Sequence, residues 1–173
     1  DHVGAYGYER DTTPALDALA KEGVVFEHAY TATPHTSYAV TSMMTGKYMR
    51  PLLLQGVGED SETWAGALRR YGYQTAAFYP PAVFFIDPER FRSFEERGLD
   101  FEYRKVQFSG AAERAAEVSA YLAQLDPGRP LFLWVHLFEP HEPYEAHPVY
   151  PFGDRSLDRY DAEIAAADAG LGR

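Results

Sequence analysis

Apolar positions recur along this chain with two different periods, and the alternation between them sets the expected order of elements. Leu16, Leu19 and Ala20 fall on one face after Thr13 and Pro14, a cap followed by a first-turn proline. The spacing predicts a helix running to about Glu22 and stopped by Gly23. Val24, Val25 and Phe26 then read as a strand leading toward Tyr30. After Pro34, the polar group His35, Thr36 and Ser37 suits a helix start, and the helix carries Met43 and Met44 as core filling and ends at Gly46. Residues 49–58 read as loop, and Trp64, Ala67, Leu68 and Tyr71 predict an amphipathic helix over 61–71.

The second half repeats the alternation. Gln74 to Tyr79 is the next expected strand, and residues 83–105, aromatic and charged with few caps, read as a loop-rich cover for a sheet edge or site mouth. Ser109 is expected to cap a helix over 111–125, with Ala112, Ala115, Ala116, Val118, Tyr121 and Leu122 inward and Glu113, Arg114 and Glu117 outward. The apolar run Leu131 to Leu137 fits a strand buried on both faces. A last helix opens at Ser156, and its carboxylates are expected to form a solvated face rather than a metal box. Strands followed by helices in this order predict an α/β fold, a three-layer α/β/α sandwich with a mostly parallel sheet.

Composition narrows the function classes. With 173 residues, 46% hydrophobic and 15% aromatic, the chain can bury a real core, and one domain is the default. A net charge of −10 without clustered Lys and Arg speaks against nucleic acid as a partner. The absence of cysteine excludes disulfides, thiolate metal sites and a cysteine nucleophile. No apolar run approaches the roughly 20 residues that cross a bilayer.

The candidate chemistry lies between Thr31 and Tyr48, where a helix start presents hydroxyls beside backbone N–H groups that lack intrahelical partners. Their partial positive charge suits a phosphate or sulfate group, and a hydroxyl there is a candidate nucleophile. Most capping hydroxyls do no chemistry, so the local pattern alone leaves a structural role open. Lys47, past Gly46, suits either the helix C-terminus or an anion, and Arg50 is a further candidate for substrate contact. His2 reads as a surface or loop residue and His28 as structural.

Three segments carry a family resemblance. Ser42-Met43-Met44-Thr45-Gly46, Gly4-Ala5-Tyr6-Gly7-Tyr8 with Thr12 to Ala20, and Phe132 to Tyr144 with its His-x-x-x-Pro-His-x-Pro-Tyr order together resemble the sulfatase family of the alkaline phosphatase superfamily. Tyr160 to Asp168 is similar to a further segment of that family. The resemblance places Thr36 at the nucleophile and metal-binding position, makes His141 a second catalytic residue, and gives His136, Lys47 and Ser37 as substrate-binding residues. Glu139 stands where the family usually has Asp. A formylglycine, matured from Cys or Ser in sulfatases, is not expected at a threonine.

Two departures stand out. Val40 occupies the place of a supporting arginine, and Tyr79-Pro80-Pro81-Ala82 replaces a Gly-Lys-Trp-His that contacts the ester. The family's upstream Asp pair and its downstream Asp-His or Asp-Asn motif are not found, with Asp1 at most a remnant of that region. The chain is therefore expected to be part of a longer protein, possessing no complete metal site and inactive by itself. The whole protein is expected to use a divalent metal, Ca²⁺ or Mg²⁺/Mn²⁺, or Zn²⁺ if histidine joins, on a small-molecule sulfate or phosphate ester. Transfer by a membrane-associated phospho-headgroup transferase, or a noncatalytic binding domain, are the alternatives. An extracytoplasmic or membrane-anchored location is compatible with either.

Overall fold

The computed structural model describes residues 2–173; Asp1 lies outside the described residues. The chain forms two compact units, one made of residues 30–108 with 126–136, the other of residues 2–29, 109–125 and 137–173.

The first unit is built on a parallel sheet. Strand β1 (Gln74–Tyr79) is its centre, flanked by β2 (Tyr103–Val106) and β3 (Leu131–Val135), both parallel to it. Register pairs Ala76 with Tyr103 on one side and with Leu133 on the other. All six residues of β1 are buried, which suits Ala76 and Ala77 flanked by Phe78 and Tyr79. The unit also contains helices α2 (Thr36–Thr45), α3 (Met49–Leu54), α4 (Trp64–Arg70) and α5 (Pro88–Glu96). Its core gathers Tyr38, Met44, Met49, Phe91, Phe94 and Phe101 against Tyr79. Tyr79 stacks on Trp134 with ring centroids 5.0 Å apart, and Phe101 on Phe132 at 5.5 Å.

Several sequence expectations for this unit change. Residues 49–54 are helix rather than loop, because Met49 and Leu53 lie four apart on one face and are both buried. The helix expected from Ser61 begins at Trp64, since Thr63 Oγ1 accepts from Gly66 N and caps it there; Trp64 and Tyr71 face solvent while Ala65 is buried. Met44 is buried but Met43 is 56% exposed, so one methionine of the pair fills the core. Residues 83–105 are not a loose cover. Asp87, at φ 54°, leads into Pro88 at the first turn of α5, which buries Phe91 and Phe94 three positions apart, and β2 follows. Arg104 and Lys105 hid that strand in the sequence, although charged residues are ordinary on an edge. Conversely, β3 is half-buried rather than covered on both faces, and it pairs on only one side among the described residues.

The second unit packs α6 (Ala111–Leu122) and α7 (Ser156–Leu171) together and sets α1 (Pro14–Glu22) against α7. Gly170 permits the approach of α6, since a Cβ there would stand 2.9 Å from that of Ala111. The expected solvated acidic face on α7 is overturned: Asp158, Asp161, Glu163 and Asp168 are all buried. Each has an internal task. Asp168 accepts the first N–H groups of α1, from Ala15 at 2.7 Å and Leu16 at 2.9 Å. Asp161 accepts from Tyr8 Oη at 2.8 Å and Arg10 Nη1 at 2.7 Å and lies 2.6 Å from His2 Nδ1. Asp158 takes Arg10 and both Nε and Nη2 of Arg155, and Glu163 accepts from Glu145 N. His2 is thereby part of a buried network rather than a free loop residue.

The inward face of α6 is also different from its pattern. Arg114 is 1% exposed and paired with Glu117 at 2.9 Å, while Ala112 and Ala116 face outward. Ser109 does not cap α6; Gly110 holds the N-cap position and Glu139 Oε1 accepts Ala111 N at 2.9 Å. Val24, Val25 and Phe26 form no strand, and Val24 is 80% exposed. His28, expected to be structural, is exposed as well.

Two outcomes follow from this packing. Phe91→Ala removes a fully buried ring and is expected to cost about 3–5 kcal/mol in urea unfolding. Hydrogen bonds from Arg155 and then Arg10 hold the Asp158 carboxyl well below its ordinary value of 3.8, so the stability it contributes is complete above that value. It is lost as pH falls through the depressed folded value. Asp158→Asn is therefore expected to lower stability at pH 7 and to reduce the acid-side slope of unfolding free energy against pH.

Candidate functional site

The N-terminal end of α2 is the place where sequence, local structure and chemistry meet. His35 precedes the helix with extended backbone and makes no side-chain capping bond. The first backbone bond into the helix runs from Ala39 N to His35 O at 2.8 Å, so the N–H groups of Thr36, Ser37 and Tyr38 lack acceptors within the helix. Thr36 is exposed at this end. A hydroxyl thus stands beside uncapped amides whose partial positive charge favours an anion.

Side chains from the next two positions fix where that end lies. Ser37 is buried and its Oγ donates to Val83 O at 2.7 Å, just beyond the carboxyl end of β1. Tyr38 Oη donates to Asp87 Oδ2 at 2.8 Å, and its ring meets Phe91 edge-on at 4.8 Å. Burial and the Asp87 bond push the Tyr38 phenol up, keeping it a neutral donor. The two anchors hold the start of α2 to the segment leaving the central strand. Carboxyl ends of strands are where open α/β sheets place ligands.

The other residues named from the sequence are arranged less uniformly. Ser37 was expected to bind substrate, but its hydroxyl is spent on the Val83 carbonyl; only its N–H faces the helix end. Val40, at the place of the missing arginine, is buried in the core. Lys47 is at the opposite end of α2, about 14 Å away along nine helical rises. Its Nζ donates to Ser61 Oγ at 2.9 Å, and Gly46, at φ 67°, turns the chain there. The helix therefore separates Lys47 from Thr36 instead of bringing them together.

His136 follows β3 directly and extends the pairing, its N–H donating to Phe78 O at 2.8 Å. Its ring meets Trp134 edge-on at 5.8 Å. In the helical unit, His141 is exposed and stacks on Phe138 at 4.7 Å. Its Nδ1 lies 2.8 Å from Glu142 O; a carbonyl only accepts, so Nδ1 carries the proton in that bond. Glu139, on the same loop, caps α6.

Metal-ligating groups are a separate matter. Among the described residues no group of three His, Asp or Glu side chains could hold a metal ion, and the buried carboxylates of α7 are occupied by internal donors. Sequence reading missed a shallow groove beside α3, lined by Ala32, Ser42, Tyr48, Arg50, Pro51 and Leu54. Its only signal was Arg50 among apolar neighbours. No helix among the described residues is long and apolar enough to cross a membrane.

Comparison with known proteins bears on the family and the fold. The chain is 47% identical over 45 residues to an ulvan-active sulfatase of Formosa agariphila, covering 26% of this chain and 9% of that protein. It is 24% identical over 156 residues to human N-sulphoglucosamine sulphohydrolase, covering 85% of this chain and 30% of that protein. The chain thus spans less than a third of the length of either relative. Its fold is similar to that of the lipoteichoic acid synthase LtaP of Listeria monocytogenes, with TM-score 0.70, 17% identity, and coverage of 93% of this chain and 44% of that one. The sulfatase family model matches residues 1–173, and the chain belongs to the sulfatase family.

Proposed function

We propose that the whole protein to which this chain belongs hydrolyses a sulfate or phosphate ester, with Thr36 as the nucleophile. The observation that supports this most is the exposed Thr36 hydroxyl at an uncapped helix end tied by Ser37 to the carboxyl end of β1. In this reading the N–H groups of Thr36, Ser37 and Tyr38 hold a nonbridging oxygen of the ester. Thr36 Oγ1 gives its proton to solvent water and attacks sulfur or phosphorus in line; a new ester bond to Thr36 forms as the bond to the leaving alcohol breaks. The leaving oxygen takes a proton from solvent and departs as the alcohol, and water then attacks the Thr36 ester, releases sulfate or phosphate and restores the threonine. His141 is proposed as a substrate contact on the strength of its motif, with Nδ1 held by Glu142 O. His136 is proposed in a supporting role beside β3.

A threonine hydroxyl is a poor nucleophile unless its proton affinity is lowered. Members of the sulfatase family generally use a divalent metal, and Ca²⁺, Mg²⁺ or Mn²⁺ is the proposed choice for oxygen ligands. The described residues do not fit such an ion by themselves, because Thr36 supplies one oxygen and no carboxylate cluster stands with it. No step is therefore assigned to a metal held by this chain.

A second reading is transfer to an alcohol acceptor in place of water. Threonine at the nucleophile position is shared with the lipid-headgroup phosphotransferases of the superfamily, and the fold likeness to a lipoteichoic acid synthase is compatible with it. Turnover of aryl sulfates, phosphomonoesters and phosphodiesters by the whole protein, with and without an added alcohol, separates the two. Thr36→Ala is expected to lower kcat/KM on the order of 10³-fold or more, with Thr36→Ser retaining part of it. Turnover unchanged by Thr36→Ala would end this reading. Calorimetric titration of residues 1–173 with Ca²⁺, Mg²⁺, Mn²⁺ and Zn²⁺ is expected to give no submicromolar one-to-one binding that Thr36→Ala abolishes.

A further inference from the structure

The groove beside α3, of about 310 Å³, has apolar walls from Ala32, Pro51 and Leu54 and an exposed aromatic ring from Tyr48. Two polar groups interrupt them. Ser42 is buried, and its Oγ accepts Met49 N at 3.1 Å, which uses a lone pair and leaves the hydroxyl proton to be donated. Arg50 is exposed and makes no hydrogen bond or ion pair among the described residues. No carboxylate lines the groove. A guanidinium and a hydroxyl, both donors, stand there without an acidic partner in a protein of net charge −10. A planar guanidinium so placed is matched by a carboxylate or sulfate, which accepts two parallel N–H bonds.

Position ties the groove to the helix end. Ser42 lies six residues along α2 from Thr36, about 9 Å at 1.5 Å per residue. That is the reach of an aromatic or sugar-sized spacer rather than of the ester group itself.

We propose that this groove is a specificity subsite for a second anionic group, carried on the organic part of an ester whose reacting group sits at Thr36. The inference rests on the reading of Thr36 given above. Arg50 holds the second anion, Ser42 donates to it, and Tyr48 packs against the spacer. Monoanionic esters then lack the Arg50 contact and bind less tightly than dianionic ones of the same shape.

Two probes that cannot be hydrolysed test it by calorimetry on the whole protein: biphenyl-4-sulfonate, and 4′-sulfobiphenyl-4-carboxylate, which adds a carboxylate at the far end. The dianion is expected to bind about tenfold more tightly, in line with one charge-assisted bidentate contact. Arg50→Gln is expected to bring the two within about twofold, and Arg50→Lys to keep part of the preference. Arg50 is exposed, so these variants leave the core intact. Equal binding of the two probes by the native protein, or a preference that survives Arg50→Gln, would overturn the proposal. Because neither probe reacts, this result is independent of turnover: loss of the Thr36 reading appears as activity that persists in Thr36→Ala, whereas loss of the groove appears in the binding ratio.

Discussion

The hydrogen bond from Ser37 Oγ to Val83 O is the constraint on which the position of the α2 N-terminus in the sheet unit depends. It is 2.7 Å long and buried, so breaking it would leave a carbonyl without its partner in an apolar setting, a cost of about 1–3 kcal/mol. It joins the first turn of a helix to the segment that leaves the central strand. Without it, the start of α2 would be positioned only by Tyr38 and by apolar contacts, which resist sliding less than a directed bond does. The neighbouring hydroxyl of Thr36 can remain exposed because its neighbour takes the structural load. Two adjacent side chains with the same functional group are thus divided, one anchored and one exposed.

This division was not legible in the sequence. Thr36 and Ser37 are chemically alike, and helix periodicity alone does not say which of two hydroxyls in a first turn faces a strand. The elements were legible where period and punctuation agreed, as for α1 between Pro14 and Gly23 and for β1 between Gly72 and Pro80. They were obscured where an edge strand carried charge, as in Tyr103-Arg104-Lys105-Val106, or where β-type residues such as Val24-Val25-Phe26 had no neighbour to pair with. Arg114 shows the same limit from the other side. Its charge suggested solvent, yet Glu117 one turn away neutralises it and both are taken inward.

The carboxylates of α7 gave the opposite lesson. Spacings of three and four residues on a helix are equally consistent with a washed acidic stripe and with a set of internal acceptors. What decides is the supply of donors from elsewhere, and here residues 2–16 provide them: His2, Tyr8, Arg10 and the amides of Ala15 and Leu16. A stretch with little regular structure is thereby fastened to a helix by five carboxylate oxygens, both of Asp161, both of Asp168 and one of Asp158. Those acids are accordingly absent from the pool of free ligands, and an abundance of Asp and Glu in the composition does not translate into a cation site among the described residues.

The exit of the central strand has its own consequence. Tyr79 is followed by Pro80 and Pro81, and proline carries no amide hydrogen. Where a strand of this kind commonly ends in a lip that can both give and accept hydrogen bonds, this one has lost two adjacent donors, and the oxygens of the same peptides are taken, Tyr79 O by Gln107 N and Pro80 O by Val83 N, each at 3.2 Å. The lip therefore offers neither free donors nor free acceptors at these two peptides, and the polarity at this end of the sheet comes from the α2 terminus. Molecules approaching this end of the sheet thus meet an apolar proline pair on one side and unpaired helix amides on the other.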